Sequence, residues 1–127
     1  MIGKKPSMFS LFLSLIIVSF LTTSEEQITA QEAKHILSVA GWPNETHQEA
    51  LNVMWCESRR MPNSVGDNGN SIGLFQIQWT PKTWVGWQSY PKMEHLRNKD
   101  IGSPITNAQA ALVIYNNFGW EPWTCKP

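Results

Sequence analysis

Apolar residues recur at helical spacing in three stretches of the chain, and the polar residues around them supply starts and stops. Ala33, Ile36, Leu37 and Ala40 fall on one face of a helix. Thr29-Ala30-Gln31-Glu32 ahead of them fits a capping box and Gly41 is a stop, which predicts a helix from about Ala30 to Ala40. Ala50, Leu51, Met54 and Trp55 form a second stripe, with Asn44 as its cap. This helix ends near Arg59, before Pro62, and carries Glu57 in its last turn. The last stripe, Ala108, Ala111, Leu112 and Tyr115, stops at Gly119 and starts at either Ser103-Pro104 or Thr106-x-x-Gln109.

Between the second and last stripes the pattern breaks down. Met61 to Gly73 is rich in Pro, Asn, Ser, Gly and Asp, which predicts an irregular flap with a small hairpin at Asp67-Asn68-Gly69. Thr80-Pro81 reads as the cap and first residue of a short helix carrying Trp84 and Trp87 on one face despite Gly86. Tyr90, Pro91 and Gly102 then mark a linker. Four helices with an irregular insertion, no long strand and no internal repeat predict a mainly α single domain, α+β at most. Such a class hosts many functions, so the site must decide among them.

The N-terminus follows a secretory pattern. Lys4 and Lys5 precede an apolar or small run from Met8 to Leu21, followed by Thr22, Thr23 and Ser24. Residues 1–24 are therefore expected to be a signal peptide and residues 25–127 the folded domain, exported to the periplasm, cell wall or medium. The run is shorter than the roughly 20 residues of a membrane span, and no cysteine near its end can take a lipid. An uncleaved signal anchor is the alternative. Without Lys4 and Lys5, eight bases face ten acids, which offers no basic field to phosphate backbones and argues against nucleic acid as a partner. A domain of about 100 residues buries roughly two-thirds of its chain surface, enough for one modest core, and is expected to be a monomer.

Seven tryptophans exceed what such a core needs, so some are expected to contact ligand. Cys56 and Cys125 are the two cysteines, and an even count in an exported chain invites a disulfide. It would close a loop of about 70 residues, worth roughly 4 kcal/mol in the chain-entropy model. The competing reading is a nucleophilic Cys56 with His35, His47 or His95 as base. The histidines are isolated and have no zinc spacing, and no nucleotide fingerprint or Ser-His-Asp pattern is present, so neither metal nor cofactor is expected.

Glu57 lies at the end of an apolar stripe, next to Trp55 and Cys56, where burial would raise its pKa. A carboxylic acid poised near pH 6 can protonate a leaving oxygen, the central need of glycosidic cleavage. A glutamate in this position is otherwise an ordinary solvated charge.

Three motifs in order surround that choice: Cys56-Glu57-Ser58, the run Gly66-Asp67-Asn68-Gly69-Asn70-Ser71-Ile72-Gly73-Leu74-Phe75-Gln76-Ile77, and Ala111-x-x-x-Tyr115-Asn116. Together they resemble the lysozyme-like superfamily, in particular the catalytic domain of lytic transglycosylases and goose-type lysozymes. The resemblance implies a lysozyme-like fold and Glu57 as catalytic acid. It implies that Gly73, Leu74 and Gln76 line a glycan groove, and that the Tyr115 phenol, beside Asn116, approaches the acid from the last helix. Ser71 is a candidate for a substrate hydroxyl or for its own turn. Asp67 matches an Asp of goose-type enzymes and is a candidate second acid, or an Asx-turn residue. Trp79, Trp84 and Trp87 follow the groove element and are candidate platforms for sugar rings, or core residues of a short helix, whereas Trp120 and Trp123 are expected to pack under the Cys125 tether.

This chain has Gln78 where goose-type lysozymes carry a further Asp, and Asn117-Phe118-Gly119 follows the Tyr-Asn pair. The expected activity is cleavage of the β-1,4 bond between N-acetylmuramic acid and N-acetylglucosamine in peptidoglycan strands. Loss of the second carboxylate tilts the reaction toward transglycosylation with 1,6-anhydro products. A hydrolytic lysozyme is the alternative within enzymes, and a wall-binding module without turnover is the alternative outside them.

Overall fold

The computed structural model describes residues 27–80 and 86–127. The expected signal segment lies outside the described residues, as do Pro81 to Val85 with Trp84. The architecture is mainly α with a small antiparallel sheet, the class expected from the sequence. Among the described residues the three α-helices are α1 (Ala30–Ala40), α2 (His47–Ser58) and α3 (Pro104–Phe118). Strands β1 (Val65–Gly66), β2 (Ser71–Ile72) and β3 (Ile77–Gln78) form the sheet in that order, with Val65 opposite Ile72 and Ser71 opposite Gln78.

The capping box of α1 is complete. The Glu32 amide donates to Thr29 Oγ1 at 3.0 Å, and the Thr29 amide donates to Glu32 Oε1 at 3.2 Å. Gly41 ends the helix in a left-handed conformation at φ 98°, which a side chain would strain. Helix α2 departs from the expected start. Asn44–Thr46 is a 3-10 turn, and the Thr46 hydroxyl donates to the Pro43 carbonyl at 2.6 Å, so the α-helix begins at His47. Of the two starts open to α3, the chain uses Ser103 and Pro104, where the proline's missing N–H costs nothing. Thr106 is buried inside the helix.

The hairpin expected at Asp67-Asn68-Gly69 joins β1 to β2, and these three residues have φ of 50°, 57° and 93°. Asp and Asn tolerate this region better than other side chains do. The segment after Gly86 differs from the helix expected to carry Trp87. Gly86 is extended (φ −97°, ψ 177°), which separates Trp87–Ser89 as a 3-10 turn of its own. The expected linker contains a further 3-10 helix, Pro91–Leu96, which buries Met93 and Leu96.

The core gathers Leu37, Met54, Leu74, Phe75 and Ile114 with an aromatic column that runs to the C-terminal tail. Phe75 stacks on Trp42 (5.6 Å), Trp42 stacks on Trp120 (5.6 Å), and Trp120 meets Trp123 edge-on (5.2 Å). The indole N–H groups are satisfied: Trp42 donates to the Ala108 carbonyl, Trp123 to the Phe75 carbonyl and Trp120 to the Glu49 carboxylate. Much of the tryptophan excess is thus spent on holding the tail. Cys56 and Cys125 form a disulfide with Cα atoms 5.9 Å apart. The pairing removes Cys56 as a nucleophile.

Candidate active site

A cleft of about 330 Å³ opens between the end of α2, the sheet turns and the C-terminal tail. Glu57 reaches it from the last turn of α2, Asp67 from the β1–β2 turn, Gln78 from β3, and Trp123 and Thr124 from the tail. Six of its eleven lining residues are polar or acidic, and the other five are apolar or aromatic. Beyond Trp87 lies a second hollow of about 380 Å³, which shares Gln78 and Trp87 with the first and is also bordered by Tyr90. The Trp87 ring is held edge-on against Tyr90 at 5.8 Å and packs on Phe118 at 5.6 Å.

Glu57 is half-buried, and its proton affinity is raised above the ordinary carboxylate range. Burial is the main cause, because removing water disfavours the charged form. The backbone N–H of Cys125 acts in the opposite direction, and the negative charge of Asp67 adds to the rise. Two carboxylates therefore share one cleft in different environments, Glu57 partly desolvated and Asp67 exposed. Such a division of roles suits a proton donor beside an anionic neighbour.

The loop walls are built by hydrogen bonds from side chains to backbone. Ser71, buried in β2, donates its hydroxyl to the Asp67 carboxylate across the β1–β2 turn. Gln76 donates through Nε2 to the carbonyls of Ser64 (3.1 Å) and Gly73 (3.0 Å). Its Oε1 lies so close to Gly66 that a Cβ there would sit 2.5 Å away. Gln76 thus braces two turns while forming part of the cleft wall.

Asn107, which sequence reasoning missed, anchors this loop to α3. It is fully buried; its Oδ1 accepts the Phe75 amide at 2.9 Å, and its Nδ2 donates to the carbonyls of Ile72 (2.8 Å) and Ile101 (2.9 Å). Gly73 sits against the same amide with φ 79°, where a Cβ would meet Nδ2 at 2.4 Å. The signal was present in the sequence: Asn107 lies one turn before Ala111 on the apolar stripe, a polar residue at a core position.

Tyr115 and Asn116 are placed elsewhere. Ile114 is the residue of α3 that lines the cleft, and one residue further round the helix the Tyr115 ring turns onto Trp42 (5.2 Å) and Trp120 (4.8 Å). Asn116 is exposed outside the cleft lining. Trp79 is buried in the core, and Trp87 stands at the cleft instead. His47 is also buried, with Nε2 at 2.9 Å from the Trp42 carbonyl. Among the described residues no group of His, Cys, Asp and Glu is arranged to hold a metal ion.

Comparison of the chain with family models, with curated proteins and with solved structures finds no match.

Proposed function

We propose that the protein cleaves the β-1,4 bond between N-acetylmuramic acid and N-acetylglucosamine in peptidoglycan, with Glu57 as the proton donor. The observation that carries this reading is a half-buried carboxyl, with its proton affinity raised by burial, opening into a cleft that it shares with Asp67, the neutral polar side chains of Ser71, Gln76, Gln78 and Thr124, and the ring of Trp87. Two adjoining hollows suit a polymer better than a single small ligand, and Trp87 between them offers an aromatic face to a sugar ring. An exported, extracytoplasmic location agrees with the disulfide, and no helix among the described residues is long and apolar enough to cross a membrane.

In this reading Glu57 gives its proton to the glycosidic oxygen as the C1–O bond breaks. The carboxylate then takes the proton of the muramyl 6-hydroxyl as that oxygen bonds to C1, so that no water enters and a 1,6-anhydro end forms. The neutral Gln78 at the cleft is in keeping with a route that needs only one catalytic carboxyl. Hydrolysis is the second reading. It is favoured by Asp67, whose carboxylate shares the cleft and is close enough to act on the Glu57 proton. Mass analysis of soluble products from purified sacculi separates the two. Transglycosylation yields glycan ends one water lighter than the reducing ends of hydrolysis, and the absence of any released fragment refutes both.

A further inference from the structure

The disulfide is usually read as a staple that keeps the tail on the domain, but the tail has fastenings of its own. The Trp123 ring is buried and its indole N–H donates to the Phe75 carbonyl at 3.0 Å. Lys126 Nζ donates to the carbonyls of Trp120, Glu121 and Trp123, and the Trp123 amide donates to the Trp120 carbonyl. The Lys126 bonds stay within the tail, and the rings of Trp123 and Trp120 fasten it to the domain ahead of Cys125. What the disulfide adds is local: it ties Cys125 to the residue immediately before Glu57, in the last turn of α2.

We infer that the Cys56–Cys125 disulfide is a positioning device, which holds the Cys125 backbone N–H and the Thr124 wall of the cleft against the Glu57 carboxyl. The inference rests on the reading of Glu57 as proton donor for its catalytic consequence, but not for its geometric one. With the bridge intact, the Cys125 N–H favours the ionised carboxyl and partly offsets burial and the Asp67 charge. Asp67 is the other charged group among the described residues that line the cleft with Glu57. Without the bridge, the Trp123 and Trp120 rings keep the tail docked while the N–H loses its registration with the carboxyl.

The test is the double variant C56S/C125S, read in two ways. First, the Glu57 side-chain carboxyl is titrated by carbon NMR, with the Trp123 indole N–H resonance reporting whether the tail stays docked. The midpoint is expected to rise in the variant while that resonance stays in place; an unmoved midpoint with the tail docked overturns the proposal, and so does a tail that undocks. Second, the pH profile of peptidoglycan cleavage is expected to move its alkaline limb upward. kcat should fall by about tenfold or more while KM changes little, because a misplaced donor costs rate rather than binding. If neither variant nor parent cleaves peptidoglycan, the proposed activity fails while the NMR titration still decides the positioning. Should the double variant not fold, exchanging the Cys125 backbone amide for an ester keeps the disulfide and deletes only the N–H. The Glu57 midpoint is expected to rise there too, and no movement overturns the proposal.

Discussion

Replacing Asn107 with alanine strips three partners from the backbone at once: the Phe75 N–H and the carbonyls of Ile72 and Ile101. Each buried polar group left without a partner costs about 1–3 kcal/mol. Ile72 is only partly buried, so water can recover some of its loss, and the combined cost falls at about 3–5 kcal/mol. In a domain of this size each kcal/mol moves Tm by about 4–8 °C, which gives a drop of about 12–40 °C. Urea unfolding followed by tryptophan fluorescence measures it as a lower midpoint at unchanged slope. Asn107→Asp is the control. It keeps the acceptor for Phe75 but sets a carboxylate against two carbonyls, so it should be at least as damaging at neutral pH and partly relieved in acid. A cost below about 1 kcal/mol for Asn107→Ala would refute the claim that this amide pins the loop to α3.

Gly73→Ala should cost about 2 kcal/mol or more in thermal or urea unfolding, since its left-handed backbone and the nearby Asn107 amide both reject a Cβ. The cost should shrink in an Asn107→Ala background, where the obstruction is gone, and strictly additive effects contradict the contact. Glu57→Gln should be more stable than the parent at neutral pH. Because the folded-state pKa of Glu57 is raised, the folded protein binds the proton more tightly. Stability is then lost as pH rises from the unfolded value, about 4.3, through the raised folded value. The advantage of the variant should grow across that window and vanish below it, and a gain that persists in strong acid contradicts a burial origin.

Periodicity and punctuation carried most of the fold. The α1 capping box, the Gly41 and Gly119 stops and the hairpin at Asp67-Asn68-Gly69 are local chemistry, and they appear where the residues dictate. The α2 start was misjudged because Thr46 bonds back to Pro43 and a 3-10 turn occupies Asn44–Thr46, a choice between two local hydrogen bonds that the sequence does not rank. At the site, Glu57, Asp67, Ser71 and Gln76 all line one cleft, although Ser71 and Gln76 spend their hydrogen bonds on the loop itself. Tyr115 and Trp79 went elsewhere because helix phase and core packing are tertiary properties. One residue of rotation separates a cleft-facing side chain from one in the aromatic column. The tail's contribution to the cleft was equally hidden, since sequence can suggest a disulfide but not which residues beside it form a wall.

If one partly desolvated carboxyl supplies the proton for glycosidic cleavage, removing that carboxyl must remove the activity and leave the fold. The most direct measurement is release of soluble glycan fragments from purified peptidoglycan by the parent and by Glu57→Gln, each shown to be folded by its tryptophan fluorescence and melting curve. Fragments are expected from the parent and, from the variant, a rate lower by at least about a hundredfold with the fold intact. A folded Glu57→Gln protein that releases fragments at the parental rate would contradict that role of the carboxyl.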